Sequence, residues 1–242
     1  MNSDKDVLLI DIGNSYAKLC LVNNGRLGEV IRCPIEDLTN QIEFLNASEV
    51  QKVCTSVLSE KDTEKFLGIL RNVQRYDTQI NCPLDVHYSP ITSLGMDRLC
   101  NACGIQRFKE TDAAVSIDIG TCIKFDLVVG KSYLGGSISP GIELRYKAMH
   151  EFTGKLPLIN HRDKAVLTGN STSESMHSGV INGIQAEILG LMSFYRDKFA
   201  SLSFFITGGD ARCFDFEGKN DIFVQENLTL EGLYTIYFHN AL

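Results

Sequence analysis

The sequence predicts an α/β protein made of two similar halves, and two observations carry that prediction. The first is an internal near-repeat: residues 8–19 read LLIDIGNSYAKL and residues 115–127 read VSIDIGTCIKFDL. Each copy is an apolar strand, an Asp-Ile-Gly turn with a polar residue after it, and a second apolar strand. The second observation is that strand-like and helical patterns alternate after each copy, which is typical of α/β proteins. A motif that recurs once at half-chain spacing indicates duplication of a domain.

The elements of the first half follow from apolar periodicity and from the turn residues that bound each run. After the first hairpin we expect, in order, a strand at 26–33, a helix at 35–46, a strand at Lys52–Val57, a helix at 60–72, a short strand at Leu84–Tyr88 and a helix at 97–109. No Pro-rich or Gly/Ser-rich linker interrupts the sequence. The prediction is a first domain at 1–110, joined to the second near residues 105–113.

The second half repeats the plan after its own hairpin. We expect, in order, a strand at Ser132–Ile138, a helix at Ile142–Phe152, a long helix at Thr172–Lys198, a strand at Ser203–Thr207 and a final helix at Leu228–His239. The strand that begins at Ser132 ends where Ser-Pro-Gly interrupts it, because Pro cannot donate to a sheet. The second domain is therefore predicted at 111–242.

Composition and charge exclude several classes of protein. The chain has 242 residues, of which 44% are apolar and 22% are charged, as in ordinary globular proteins. A formal net charge of −7 argues against nucleic acid as a partner, because phosphate neutralisation needs clustered Lys and Arg. No apolar run approaches the length of a membrane span, and the polar, acidic start does not resemble a secretory signal. We therefore expect a cytoplasmic protein with no membrane or nucleic-acid partner.

The eight cysteines fit the same compartment. Most of them lie in apolar runs, which indicates reduced, buried thiols. Cys100 and Cys103 form a CxxC pair, but a metal site would need two more ligands nearby. We interpret this pair as helix packing, with a redox or metal site as the alternative.

The first Asp-Ile-Gly hairpin has the composition of a phosphate loop. Gly13 lets backbone N–H groups approach an anion closely, and Asn14 and Ser15 add short polar side chains. Lys18, on the returning strand, is long enough to reach a phosphate. Because a carboxylate beside phosphates needs a cation between them, Asp11 implies Mg²⁺, held directly or through water. Taken alone, the motif is explained at least as well by an ordinary hairpin closed by an Asx-type turn.

The second copy strengthens the phosphate interpretation. Asp118, Gly120 and Thr121 repeat the arrangement of the first hairpin. Two such turns, facing each other across a cleft between the domains, would grip a polyphosphate from both sides. Chance could account for one copy of this motif, but it accounts less well for two copies in the same chain.

A third motif, Gly95-Met96-Asp97-Arg98, stands at the start of a predicted helix. Asp97 in a first helical turn is stabilised by the helix dipole, which is a sufficient structural reason for it. The functional interpretation makes Asp97 a general base and Arg98 a clamp for a substrate carboxylate. Spacing alone leaves both interpretations open.

Three glycine-rich segments complete the pattern. Residues 135–141 read GGSISPG, residues 168–172 read TGNST, and residues 207–210 read TGGD. Such segments suit close approach by a ligand, although each is also compatible with a plain turn, and Thr172 is a suitable N-cap. The sequence has no Walker A motif, no protein-kinase motif set and no HExxH, which excludes those classes.

Taken in order, these motifs resemble the type III pantothenate kinases of the acetate/sugar kinase–Hsp70–actin superfamily. The resemblance extends from Asp11 to Gly232 and rests on 11–18 (DIGNSYAK), Tyr88 seven residues before 95–98 (GMDR), 118–121 (DIGT), 135–141 (GGSISPG), Thr172 and 207–209 (TGG). The hairpins are shared by the whole superfamily. The combination of Gly-x-Asp-Arg with Gly-Gly-x-Ile-x-Pro-Gly is much more specific.

The resemblance implies a fold of two ribonuclease-H-like domains, that is, a duplicated actin-like ATPase fold with a nucleotide cleft between them. It implies phosphorylation of pantothenate by ATP to 4′-phosphopantothenate, the first step of coenzyme A biosynthesis, by a cytoplasmic homodimer that uses Mg²⁺ and a monovalent cation, K⁺ or NH₄⁺. It assigns ATP and phosphate to Asp11, Ile12, Gly13, Asn14, Ser15, Tyr16, Ala17, Lys18 and Thr121. It assigns pantothenate to Tyr88, Gly95, Met96, Asp97, Arg98 and Thr172, with Asp97 as the general base, and the monovalent cation to Asp118.

The sequence departs from the family pattern at three places. Met96 replaces a usual small residue, and the segment between Tyr88 and Gly95 keeps its length but not its usual residues. Lys124 stands where a Thr is common. A lysine ammonium there would compete with the monovalent cation near Asp118.

Two other classes of function remain as alternatives. The same hairpins occur in sugar and acetate-type kinases and in exopolyphosphatases, although the segment 95–98 and the short chain favour the pantothenate kinase. The other alternative is an inactive regulator on the same fold. The presence of Asp11, Lys18, Asp97 and Asp118 argues against that alternative.

Overall fold

The computed structural model describes residues 6–47, 49–216 and 220–241. Its backbone contacts divide the chain into two compact units. The first unit consists of Met1–Phe108, Lys131–Tyr133 and Asn227–Leu242, and the second consists of Lys109–Gly130 and Leu134–Glu226. The predicted domains at 1–110 and 111–242 stay a prediction. The contacts place the C-terminal helix with the first unit, although it lies at the far end of the sequence.

The first unit is built on a five-stranded sheet with the order β3-β2-β1-β4-β5. Its strands are β1 (Val7–Ile12), β2 (Tyr16–Asn23), β3 (Arg26–Pro34), β4 (Gln51–Ser56) and β5 (Val73–Arg75). β1 pairs antiparallel with β2 and parallel with β4. Because β1 is central, it is apolar along nearly its whole length and its side chains are almost all buried. It delivers Asp11 to one end of the sheet.

Among its described residues, this unit contains the α-helices α1 (Leu38–Ala47), α2 (Glu60–Leu67), α3 (Met96–Ile105) and α6 (Leu228–Ala241). Two glycines bring α3 and α6 into close contact. A Cβ on Gly232 would overlap the carbonyl oxygen of Cys100, and a Cβ on Gly104 would lie 2.6 Å from the carbonyl oxygen of Leu228. This packing fixes α3, which carries the Gly-x-Asp-Arg motif at its start.

The second unit contains the strands β7 (Ala113–Ile119), β8 (Cys122–Val129), β10 (Leu202–Thr207) and β11 (Ile222–Val224). It also contains most of β9 (Ser132–Pro140), whose first two residues belong to the first unit. They lie in the order β11-β10-β7-β8-β9. The helices α4 (Ile142–Glu151) and α5 (Thr172–Lys198) pack against this sheet. Ile181, Ile184 and Ile188 form the buried stripe of α5, at the three- and four-residue spacing of an amphipathic helix.

Several predicted boundaries are wrong in detail. The helix predicted at 60–72 ends at Leu67, and the helix predicted at 97–109 spans Met96–Ile105. The strand predicted at Leu84–Tyr88 is the two-residue β6 (Asp85–Val86), which pairs with Ser132 and Tyr133 within the first unit. The short edge strands β5 and β11 were not predicted, because three residues give no readable periodicity. Within the described residues, no helix is long and apolar enough to cross a membrane.

Candidate functional site

The first hairpin places Asp11 at the end of β1, where its side chain is buried. Lys18 lies directly opposite on β2, and the backbone register pairs these two residues. Directly opposed residues of an antiparallel pair have side chains on the same face of the sheet. The carboxylate of Asp11 and the ammonium of Lys18 therefore share one face at the end of the sheet, as the phosphate-loop interpretation requires.

The tip of the hairpin presents polar groups to solvent. The N–H of Gly13 donates to the carbonyl of Tyr16 at 2.9 Å, which closes the turn, and Asn14 and Ser15 are exposed. Tyr16 is covered on one face by the guanidinium of Arg32, whose central carbon lies 3.9 Å from the ring centroid. The interior positions Ile12 and Ala17 are fully buried, so their side chains hold the turn in place.

Thr55 is a residue of this region that the sequence did not single out. It lies beside Asp11 in the parallel pairing of β1 with β4, and it is buried. Among the described residues, its hydroxyl has no hydrogen-bond partner. No sequence signal could have found it, because its position depends on a strand pairing across more than 40 residues of chain.

The start of α3 explains why a glycine precedes Asp97. The Oδ1 atom of Asp97 accepts a hydrogen bond from the N–H of Arg98 at 2.9 Å, so the carboxylate folds back over the first turn. A Cβ on Gly95 would lie 2.5 Å from that oxygen. Gly95 is therefore needed for the space it leaves free, since its own backbone angles are ordinary extended ones. Met96 is buried, so its side chain belongs to the core of the unit.

Arg98 and Tyr88 form a contact within the same unit. The Nη1 of Arg98 donates to the hydroxyl of Tyr88 at 3.3 Å, and the guanidinium carbon lies 5.5 Å from the centroid of that ring. Arg98 is only 3% exposed. A carboxylate bound to it would also be shielded from water, which strengthens a charge-assisted hydrogen bond.

The carboxylates of Asp11 and Asp97 both act electrostatically on the buried thiol of Cys100. Burial raises the pKa of the Cys100 thiol well above its usual value, and the negative charges of Asp11 and then Asp97 raise it further. Two residues that stand 86 positions apart in the sequence thus affect the same thiol in the first unit.

In the second unit, Asp118 lies one residue before the end of β7 and directly opposite Lys124 on β8. The two side chains form an ion pair, with Nζ of Lys124 2.7 Å from Oδ2 of Asp118. Both side chains are largely buried, at 16% exposure for the lysine and 14% for the aspartate. The carboxylate that the resemblance assigns to a monovalent cation is therefore already bound to an ammonium group.

Glycine-rich segments surround this second hairpin. The N–H of Gly141 donates to the carbonyl of Thr121 at 3.0 Å, and a Cβ on Gly141 would overlap the carbonyl of Gly120. Gly208 adopts a φ of 99° and lies against Ile119. Two of the glycine-rich segments, at 135–141 and 207–210, thus converge on the hairpin that contains Thr121.

Thr172 lies in the first turn of α5. The N-cap of α5 is Ser171, whose hydroxyl accepts from the N–H of Glu174 at 3.2 Å, so the expectation that Thr172 caps the helix is wrong. Thr172 instead lines a cavity of about 540 Å³. The cavity is lined by Met149, Leu156, Gly169, Asn170, Ser171, Thr172, Ser175 and Met176. Its size fits a small organic molecule, and its lining mixes hydroxyl, amide and thioether groups.

The cysteines carry free thiols at all eight positions, which are all among the described residues. Cys100 and Cys103 are buried in α3, and the described residues contain no group of three or more His, Cys, Asp or Glu able to hold a metal. A hydrogen bond from the thiol of Cys103 lowers the pKa of Cys82 to about 7. Cys100 and Cys103 both contribute buried side chains to the packing of α3, and the interpretation of the pair as helix packing stays a prediction.

Comparison with known proteins supports one family. The family model for type III pantothenate kinase matches residues 7–193 of the chain. A type III pantothenate kinase of Christiangramia forsetii is 36% identical over 231 residues, which cover 93% of this chain and 95% of that protein. The match therefore extends over both halves of the sequence.

Solved structures confirm the predicted fold class. A Campylobacter jejuni protein described as a Baf family transcriptional activator superposes with a TM-score of 0.63 at 22% identity, covering 97% of this chain and 98% of that one. An inorganic polyphosphate/ATP-glucomannokinase of Arthrobacter superposes with a TM-score of 0.54 at 13% identity, covering 99% of this chain and 100% of that one. At these identities the likeness shows the fold alone: an α/β protein with two sheets of the duplicated ribonuclease-H-like type.

Proposed function

Because this chain belongs to the type III pantothenate kinase family, we propose that it transfers the γ-phosphoryl group of ATP to pantothenate and forms 4′-phosphopantothenate for coenzyme A biosynthesis. The observation that carries the proposal is the start of α3. There, Gly95 leaves the space into which the carboxylate of Asp97 folds. The adjacent Arg98 is positioned against Tyr88. A base and an anion clamp on one helix turn are what a hydroxy acid such as pantothenate requires.

The general base in this proposal is Asp97. The primary hydroxyl of pantothenate attacks the γ-phosphorus of ATP, the bond from that phosphorus to the β–γ bridging oxygen breaks, and ADP leaves. Phosphoryl transfer passes through a loose transition state, so Asp97 mainly orients the hydroxyl and accepts its proton late in the step. General-base assistance of this kind is worth about 10²–10⁴-fold in rate.

The first hairpin would bind the phosphates. The residues Asn14 and Ser15 lie at an exposed turn where their backbone N–H groups can meet an anion, and Lys18 provides a positive charge on the same face of the sheet as Asp11. Asp11 fits a role in holding Mg²⁺, since this ion commonly takes one or two carboxylates together with water and substrate phosphates. Bound there, Mg²⁺ would neutralise charge that develops on the phosphate oxygens. Thr121, on the second hairpin, is proposed as a further contact to ATP.

The substrate carboxylate is assigned to Arg98, with Tyr88 holding the guanidinium in place. A planar guanidinium can bind a carboxylate through two parallel hydrogen bonds, which fixes the direction of the rest of the molecule. Such positioning places the hydroxyl in line for attack. Thr172, at the cavity of the second unit, is proposed to contact pantothenate through its hydroxyl.

The monovalent cation that the resemblance implies does not fit the residues present. Asp118, the proposed ligand, is paired with Lys124 at 2.7 Å. An ammonium group already neutralises the carboxylate that would hold the ion. No step of the proposed mechanism passes through a monovalent cation.

We also propose that the protein acts as a cytoplasmic homodimer. The free state of all eight thiols supports a reducing compartment. Large exposed apolar side chains on the second unit support self-association, among them Phe152 at 84% and Phe194 at 71% exposure. Light scattering on the purified protein tests the dimer: a monomeric mass at micromolar concentration would contradict it.

The function is tested by ADP release from purified protein with ATP and Mg²⁺, with and without pantothenate. We expect ADP release that depends on pantothenate, together with a product whose mass is that of a phosphate ester. Glucose, acetate and polyphosphate serve as competing substrates, because the alternatives on this fold would use them. Turnover with one of these and none with pantothenate would overturn the assignment.

A further inference from the structure

We propose that Lys124 takes the place of a bound monovalent cation, so that this protein carries a fixed positive charge at Asp118 and needs neither K⁺ nor NH₄⁺. The proposal concerns the second hairpin alone. The activity test of this proposal rests on the proposed function, whereas the thermal melting test does not require the protein to be active.

The first argument is geometric. Asp118 and Lys124 are directly opposed in the antiparallel pairing of β7 with β8. This register places both side chains on one face of the sheet, and the ammonium lies 2.7 Å from the carboxylate. The strand pairing therefore fixes the two residues next to each other, unlike an ion pair between two flexible side chains on the protein surface.

The second argument concerns burial. At 16% and 14% exposure, the two side chains are shielded from most of the solvent, so their attraction is screened less than that of a surface pair. Loss of one partner would leave the other charge largely buried and uncompensated, which is costly. The ammonium on Oδ2 already supplies, within the protein, the positive charge that a potassium ion would bring to this carboxylate.

The third argument is the lack of room around the carboxylate. Gly208, at the end of β10, approaches so closely that a Cβ on it would lie 2.6 Å from the Oδ1 of Asp118. The flanking residues on β8, Ile123 and Phe125, are buried and hold Lys124 in its register. The carboxylate therefore has little freedom to turn away from Lys124 toward an ion.

The first hairpin shows that the chain uses this arrangement twice. Asp11 and Lys18 are directly opposed in β1 and β2, as Asp118 and Lys124 are in β7 and β8. The sequence spacing is seven residues in the first hairpin and six in the second, because the second turn is one residue shorter. In both halves the strand register therefore sets a lysine opposite the aspartate of the Asp-Ile-Gly motif, and in the second half the two side chains form an ion pair.

The stability test compares thermal melting in KCl, NH₄Cl, NaCl and choline chloride at equal ionic strength. The chains are the wild type, Lys124→Ala, which removes the charge and opens space, and Lys124→Met, which removes the charge but keeps most of the bulk. Lys147→Ala is the matched control, because Lys147 also pairs with a carboxylate of this unit, that of Glu143, at 2.6 Å, but is 55% exposed. It deletes an ion pair without opening a buried space.

We expect the melting temperatures of the wild type and of Lys147→Ala to be the same in all four salts. Lys124→Ala should gain roughly 3–6 °C in KCl or NH₄Cl over choline chloride, as expected for an ion present at about twenty times its dissociation constant. Lys124→Met should show no such gain, because its side chain fills the space. A saturable K⁺ stabilisation of the wild type would overturn the proposal, as would equal melting of Lys124→Ala in all four salts.

The activity test uses pantothenate-dependent ADP release in the same salts. Wild-type turnover should differ by less than about twofold between KCl and choline chloride, whereas Lys124→Ala should lose about tenfold or more in choline and recover in KCl. Full activity of Lys124→Met in choline chloride would show that the charge is not required, and it would overturn the proposal. If no chain shows pantothenate-dependent turnover, the proposed function fails, and the melting experiment still decides the cation question.

Discussion

Replacing Gly95 by Ala should impair catalysis without destabilising the protein. A Cβ at this position would lie 2.5 Å from the Oδ1 of Asp97. Carbon and oxygen atoms in contact are normally separated by about 3.3 Å or more, so the carboxylate oxygen must move by roughly 0.8 Å. That shift breaks its 2.9 Å hydrogen bond with the N–H of Arg98. The proposed base would then no longer point where it does in the wild type.

The magnitude follows from how sensitive catalysis is to position. A misplacement of about 1 Å costs on the order of 10²-fold in rate, and loss of a general base costs at most about 10⁴-fold. We therefore expect kcat for pantothenate-dependent ADP release to fall about 100-fold in Gly95→Ala. The extended backbone of Gly95 suits alanine, so the melting temperature should stay the same or rise slightly.

The matched control is Gly190→Ala in α5, where an added Cβ meets no atom within 4 Å. This variant should keep wild-type kcat and gain roughly 1 kcal/mol in stability, because alanine favours a helix. A kcat for Gly95→Ala within about threefold of the wild type would refute the argument that the glycine exists to seat the carboxylate. A fall in kcat that accompanies a large loss of melting temperature would also refute it, because the effect would then be on folding.

Three further predictions concern the first unit. Asp97→Asn should lower kcat by about 10²–10⁴-fold with an unchanged melting temperature, measured by ADP release and thermal melting, and comparable turnover at saturating pantothenate would exclude Asp97 as the base. Gly232→Ala should lower the free energy of unfolding in urea by about 3 kcal/mol or more, because the new Cβ overlaps the backbone of Cys100; an unchanged urea midpoint would contradict this. The thiolate fraction of Cys82 should increase through pH 7, because the pKa of this thiol is lowered to about 7, whereas burial raises the pKa of Cys54 to about 12. Iodoacetamide labelling followed by mass spectrometry should therefore modify Cys82 with a midpoint near pH 7 and leave Cys54 unmodified in the folded protein; labelling of Cys82 that does not change with pH would contradict this.

The two hairpins were predictable because each is a local feature. An apolar strand, an Asp-Ile-Gly turn and a second apolar strand specify antiparallel pairing within about 15 residues, and periodicity alone indicates it. The long helix α5 was predicted at its observed bounds, Thr172–Lys198, for the same reason. Its N-cap was misassigned by one residue, because the sequence offers two adjacent hydroxyl residues and only the backbone angles decide between them.

The features that depend on distant pairing were not predictable. Thr55 lies beside Asp11 only because β1 and β4 pair in parallel, and nothing local in the sequence indicates that register. The attachment of α6 to the first unit rests on contacts between Gly232 and α3, which lie more than 100 residues apart. A single sequence carries no signal for contacts of this separation, since helical periodicity shows that a face is buried but not which partner buries it.

Lys124 illustrates how a local sequence can raise a question that only the strand register answers. In the sequence, Lys124 lies six residues beyond Asp118. That spacing alone does not decide on which face of β8 the lysine side chain lies, because adding or removing one residue in the turn moves every side chain of the strand to the opposite face of the sheet. The three-residue turn at 120–122 decides it: Ile119 pairs with Ile123, and the next pair outward is Asp118 with Lys124. In the first hairpin a four-residue turn at 13–16 gives the same result with a spacing of seven, because Ile12 pairs with Ala17 and Asp11 with Lys18. Two turns of different length thus set a lysine opposite an aspartate in the same strand register, and at Asp118 that register produces the ion pair with Lys124.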